Sequence, residues 1–124
     1  MEAAVNKQAA INGYAAFSAM DPEAAMKDIS DSILWVVGGN NLLTGEYVGK
    51  QAVGDLWMKI VEKGFKTTPR EFIAEGDKVV VLCDTELDGE LGQTADVLSY
   101  DAEGKLVRFD TFGDEAVLDR VFPI

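Results

Sequence analysis

Between Gly92 and Phe122 two short apolar segments meet at Asp101-Ala102-Glu103-Gly104, and a third pattern, Asp114-Glu115-Ala116-Val117-Leu118, follows at once and reads as a helix. A short acidic loop ending in glycine, set between two such segments, closes an antiparallel hairpin, and its length decides which residues face each other. With four loop residues, Tyr100 stands opposite Lys105. Leu98 then faces Val107, Asp96 faces Phe109 and Thr94 faces Thr111, all on one side of the ribbon. The other side carries Ala95, Val97, Arg108 and Asp110 and is more polar. The register therefore sets one carboxylate, Asp96, among apolar neighbours. Such a group is either a buried structural acid or a piece of chemistry. Desolvation raises its pKa, and a neutral carboxylic acid can donate a hydrogen bond to a ligand oxygen.

The rest of the chain supplies what packs on that ribbon. From Ala3 to about Ala19, Ala10, Tyr14 and Phe17 recur at helical spacing. Asp21-Pro22-Glu23 restarts a short helix that ends near Ile29, with Asp21 as N-cap and Pro22 at the first position. Ser32 to Val37 reads as a strand with Ile33, Trp35 and Val37 on one face, broken by Gly38-Gly39-Asn40-Asn41. Gly45-Glu46-Tyr47-Val48-Gly49 is a turn-rich lead into a third helix, whose Val53, Leu56, Trp57, Ile60 and Val61 share a face up to Gly64. Phe65 to Ala74 is a strand that Pro69 consigns to an edge or a bend. Lys78 to Leu87 is the strongest strand, apolar on both faces. Asp114 is expected to cap the last helix. Helices early and strands late predict an α+β domain, a curved antiparallel sheet with helices on its concave face, enclosing a cone. Trp35, Val37, Trp57, Leu98 and Phe109 point into that cone, either as core packing or as the wall of a cavity. Phe65, Phe72 and Phe112 are further aromatics whose direction the pattern leaves open.

The 124 residues make a single domain, 1–124. A formal charge of −11 argues against nucleic acid and anionic membranes as partners. The chain has no histidine, so neither a histidine base nor a histidine metal ligand is available, and acid–base work falls to Asp, Glu, Tyr or Lys. No metal or cofactor is expected. Asp84, Glu86, Asp88 and Glu90 lack the glycine of a calcium loop and read as a solvated strand end. The lone Cys83 reads as a buried thiol and fits a reducing cytoplasm; the start, Met1-Glu2-Ala3-Ala4-Val5-Asn6-Lys7, lacks the pattern of a signal peptide.

Tyr14-Ala15-Ala16-Phe17 before Asp21-Pro22-Glu23-Ala24, then Leu34-Trp35-Val36-Val37, Gly45-Glu46-Tyr47-Val48-Gly49-Lys50, Glu75-Gly76-Asp77-Lys78-Val79 and Glu103-Gly104-Lys105-Leu106-Val107-Arg108-Phe109 run in an order that resembles the nuclear-transport-factor-2-like superfamily. Within it the chain is most similar to the SnoaL-like group of polyketide cyclases, related to ketosteroid isomerase and limonene epoxide hydrolase. The resemblance covers nearly the whole chain and implies the cystatin-like, ketosteroid isomerase-like cone. It places Asp96 where the isomerases keep an oxyanion-hole aspartate, and Tyr14 within one position of their oxyanion tyrosine. Their catalytic base falls at Val37. Trp57 replaces a tyrosine that supports the oxyanion tyrosine, and Thr111 stands where cyclases and epoxide hydrolases carry an acid.

The expected function is binding of a small hydrophobic cyclic or aromatic metabolite, with cofactor-free isomerisation or cyclisation through Asp96 and Tyr14. Trp35, Val37, Trp57, Leu98, Phe109 and Thr111 would line the pocket. The alternative is a non-catalytic binding or dimerisation module whose cone is filled by its own side chains. Superfamily members commonly dimerise through the outer sheet face, which carries Arg108 and Asp110, so a homodimer is expected.

Overall fold

The computed structural model describes residues 2–124. Alanine-rich helix α1 (Ala3–Ser18) turns its Asn6–Ala10–Tyr14–Phe17 stripe inward, a spacing that keeps residues on one helical face. Helix α2 (Pro22–Met26) starts as expected, with the Asp21 carboxylate accepting from the Ala24 amide at 3.2 Å. It stops three residues earlier than expected, and strand β1 (Ile29–Val37) begins correspondingly early. The Gly45–Gly49 segment is not merely a turn. It holds strand β2 (Gly45–Val48), which pairs with β1 and brings Tyr47 opposite Trp35. Helix α3 (Lys50–Glu62) buries Val53, Leu56 and Trp57. Strands β3 (Lys66–Glu75), β4 (Lys78–Leu87), β5 (Glu90–Tyr100) and β6 (Leu106–Phe112) follow, then helix α4 (Glu115–Val121).

The six strands form one sheet in the order β2-β1-β6-β5-β4-β3. All neighbours run antiparallel except β1 and β6, which are parallel. Strand β3 lies at an edge and its ladder slips between Pro69 and Glu71, as a proline with no amide hydrogen requires. Concave-face residues Ile33, Val79, Val81 and Cys83 are fully buried and pack with Val53 of α3.

The β5–β6 register differs from the sequence expectation by two residues over most of its length. Tyr100 opposes Leu106, and from Ser99 opposite Arg108 onward the pairs are Leu98 with Phe109 and Asp96 with Thr111. The cause is a bulge. Asp101 folds the loop back on itself, its carboxylate accepting from the Glu103 and Lys105 amides at 2.9 Å each, and Val107 is left without a partner. A two-residue shift preserves the faces, so Asp96 still points to the concave side.

Candidate functional site

The register arranges the concave face in rows across the strands. One row runs Val81–Asp96–Thr111, with Val37 one residue beyond the Val36–Asp110 pair. The next runs Val79–Leu98–Phe109–Trp35–Tyr47, and the third joins Tyr100 to Leu106 and Ile29. The first row is polar at its centre, the second aromatic. Trp35 stacks on Phe109 with ring centroids 3.7 Å apart and meets Trp57 edge-on at 5.6 Å. Helices α1 and α3 stand off this face and leave a cavity of about 360 Å³. Asp96, Tyr14, Trp35, Val37, Trp57, Leu98, Phe109 and Thr111 all line it. Phe65 lines it too, Phe72 packs against the core, and Phe112 faces outward, half exposed.

Asp96 is the hub of the polar row and only 5% exposed. The Tyr14 hydroxyl donates to its Oδ2 at 2.5 Å, and the Thr111 hydroxyl donates to its Oδ1 at 2.6 Å. The Cys83 thiol lies 3.7 Å from Oδ2. Burial pushes the Asp96 carboxyl above the usual range, while donors from Thr111, Tyr14, Thr94 and Cys83 pull it back. Burial raises the Tyr14 phenol well above its ordinary value, and the neighbouring Asp96 charge raises it further. Burial likewise pushes the Cys83 thiol up to about 11, so it is the inert thiol expected. Tyr14 and Asp96 are thus bonded to each other rather than side by side. In one protonation state Tyr14 donates to the carboxylate. In the other, neutral Asp96 donates to the phenol oxygen and frees the Tyr14 hydrogen for a third group.

Asp114 corrects the sequence reading. It precedes α4, but its backbone (φ −104°, ψ −3°) is not the extended conformation of a capping residue, and its side chain caps nothing. The Glu115 carboxylate instead accepts from the Gly113 amide at 2.9 Å. Asp114 lines the cavity, and its Oδ1 is sealed from solvent with no hydrogen-bond partner among the described residues. Burial, with Glu115 and Asp96 nearby, pushes its pKa up to about 6. Gly113 makes this placement possible: at φ +104°, a Cβ there would lie 2.6 Å from the Gln93 carbonyl oxygen. The sequence carried no signal for this, since an acid at the N-cap followed by one in the first turn is the ordinary start of a helix, as at Asp21 and Glu23.

Arg108 and Asp110 pair on the outer face at 2.9 Å, as the alternation required. Among the described residues, no three His, Cys, Asp or Glu side chains gather as a metal-binding group, and no helix is long and apolar enough to cross a membrane.

No family model and no curated protein matches the sequence. Solved structures do. Bal32a, from a soil-derived mobile gene cassette, superposes with a TM-score of 0.88 at 18% identity, covering 98% of both chains. An NTF2-like protein of unknown function from Burkholderia pseudomallei matches at 0.84 and 21% identity, covering 97% of this chain and 98% of its own. TerC, crystallised with polyporic acid, matches at 0.83 and 23% identity, covering 94% and 96%. Likeness of this extent at such low identity speaks to architecture: the chain has the nuclear-transport-factor-2-like fold.

Proposed function

We propose that the chain binds a small oxygenated cyclic or aromatic metabolite in the cone and catalyses cofactor-free proton transfer on it, leading to isomerisation or cyclisation. The observation that carries this reading is the pairing of two unlike acids on one cavity: Asp96, held by Tyr14 and Thr111, and Asp114, whose Oδ1 is enclosed without a partner and whose Oδ2 is left to meet a ligand. Asp114, near pKa 6, is largely ionised at neutral pH and suits a general base. It takes a proton from the carbon beside a carbonyl. The electron pair moves to the carbonyl oxygen, which Tyr14 holds by hydrogen bond while neutral Asp96 backs the phenol. In a β,γ-unsaturated ketone the dienolate takes the proton back from Asp114 at the γ carbon; in a dicarbonyl the enolate carbon attacks the second carbonyl, closes a ring, and the new alkoxide takes that proton.

The volume supports a ligand over a cone filled by its own side chains. About 360 Å³ lies within the range of small-molecule sites. A module whose cone is filled by its own side chains would leave no such space. TerC's crystallisation with polyporic acid supports hydroxylated ring compounds as the first class to try.

Two experiments test the reading. Tryptophan-quench titration with phenolic, polycyclic and enone ligands should give saturable binding that Asp96→Leu loses. Proton–deuterium exchange beside the carbonyl of a bound cyclic ketone, followed by NMR, should be accelerated by the wild type and not by Asp114→Asn. Absence of both in folded protein would refute it.

The homodimer is part of the same proposal. Leu34, Val36, Val80, Leu82, Val97 and Phe112 leave an apolar outer sheet face. Light scattering should report a dimer that Val97→Arg dissociates.

A further inference from the structure

Tyr100 is the group the proposed chemistry does not use. It closes the third row of the concave face, four residues beyond Asp96 on β5, which puts the two Cα atoms about 13 Å apart along the strand. The side chain is 5% exposed, yet its hydroxyl has no hydrogen-bond partner among the described residues. Nor is the oxygen sealed in protein: the fully enclosed, unpartnered side-chain atoms belong to Asn6 and Asp114. The ring lines the same cavity as Asp96. A phenol that opens on the cavity with no partner in the protein can bond a ligand oxygen in place of water.

Between the two polar ends lies the apolar row of Leu98, Phe109 and Trp35. The cavity therefore alternates from polar to aromatic to polar along one direction. We infer that the natural ligand is a flat, extended molecule bearing two oxygen functions, one held at Asp96 and Tyr14, the other read by the Tyr100 hydroxyl across the Trp35–Phe109 stack. The inference rests on the ligand-binding reading above and deepens it. The charge at the far end narrows the class further. Half-buried Asp28 lines the cavity with the exposed Lys27, and the Asp28 charge, with burial ahead of it, raises the Tyr100 phenol's pKa. A carboxylate on the ligand would meet that charge, so the second function is a neutral hydroxyl or carbonyl.

The test compares 4-hydroxybiphenyl, 4,4′-dihydroxybiphenyl and 4′-hydroxybiphenyl-4-carboxylate by tryptophan quenching, on wild type, Tyr100→Phe and Asp96→Asn. One hydrogen bond from the Tyr100 hydroxyl to the ligand corresponds to a roughly tenfold preference for the diol over the monophenol. Tyr100→Phe should erase that preference without weakening monophenol binding, and Asp96→Asn should weaken both. The carboxylate should bind no better than the monophenol. Tyr100→Phe should also melt at or above the wild-type temperature, since its hydroxyl supports nothing in the protein; a purely structural tyrosine would lower it. Equal affinity for diol and monophenol, or a preference that survives Tyr100→Phe, overturns the inference and leaves the proposed function standing. Failure of all three phenols to bind wild type overturns both.

Discussion

Replacing Asp114 by asparagine should make the protein more stable and less active, and the size of the gain follows from its titration. Folding raises this carboxyl from the ordinary 3.8 to about 6. At about 1.4 kcal/mol per pKa unit, the shift corresponds to about 3 kcal/mol. The sign follows from proton binding. An acid whose pKa rises on folding holds its proton more tightly folded than unfolded. Between about pH 4 and pH 6 the folded state therefore carries more protons, and stability falls as pH rises through that window. Above it the whole penalty is present. Asparagine has nearly the same shape and no charge at any pH. Variant and wild type should unfold together near the acid end of the window and diverge as pH rises. At neutral pH the variant should be ahead by about 3 kcal/mol, or about 10 °C in melting temperature for a domain of this size. Urea denaturation across this pH range, followed by tryptophan fluorescence, measures the difference directly. A gap that does not change with pH, or an asparagine variant less stable at neutral pH, refutes the assignment of a strained, ionised carboxylate.

Other perturbations probe the neighbouring groups. Asp96→Asn removes the charge that helps hold the Tyr14 phenol up, so Tyr14 should titrate lower than in wild type yet still above free tyrosine, because burial is the larger cause. Ultraviolet difference absorbance, with Tyr14→Phe identifying the signal, checks this. Asn6 is completely buried, and neither its amide oxygen nor its nitrogen has a partner among the described residues. Asn6→Leu should therefore stabilise by about 1–2 kcal/mol in urea denaturation; a loss of that size would mean the amide is satisfied in solution. Gly113→Ala should destabilise by at least about 2 kcal/mol, from a positive φ and a Cβ driven against the Gln93 carbonyl, and should disturb activity by displacing Asp114.

What was legible in the sequence was whatever depended on alternation. The period-two pattern of β5 and β6 put Asp96, Leu98, Phe109 and Thr111 on one face, and a register error of two residues could not change that. The helical stripe of α1 brought Tyr14 inward, but only the structure puts its hydroxyl on Asp96, 82 residues away in the chain. Edge strand β2 is hard to see in the sequence because it begins at Gly45, stops before Gly49 and only four residues pair. Asp114 was misread because capping is a local rule and this site is not local. Gly113, where a Cβ would meet the Gln93 carbonyl, allows the close turn before α4, Glu115 bonds back to the Gly113 amide, and Asp114 lines the cavity. Tyr100 was noticed only as a register marker, since an unpartnered hydroxyl shows itself only when every neighbour is known.

In the proposed mechanism the base absent from β1 comes from the chain leaving β6, and the parallel β1–β6 pairing makes that exchange possible. Val37 ends β1 where the resemblance puts the isomerases' base, and it cannot take a proton. Because β1 and β6 run side by side in the same direction, with Val36 opposite Asp110, both strands leave the sheet at the same end. The chain leaving β6 reaches Asp114 three residues after Thr111, and the start of α4 then lies over the exit of β1: a Cβ on Gly38 would sit 3.5 Å from the Glu115 side chain. Val37 and Asp114 thus approach one end of the cavity from adjacent strands. If the carboxylate has only changed strands, it should be movable back. In an Asp114→Asn background, Val37→Asp should restore part of the exchange activity, on the order of tenfold above the single variant, as expected for a base in roughly the right place. The double variant should also regain the fall in stability with rising pH that asparagine removed, since its new acid is again desolvated. Recovery of that stability profile without any exchange would refute the argument, because it would show a buried acid at this end of the cavity that does no chemistry there.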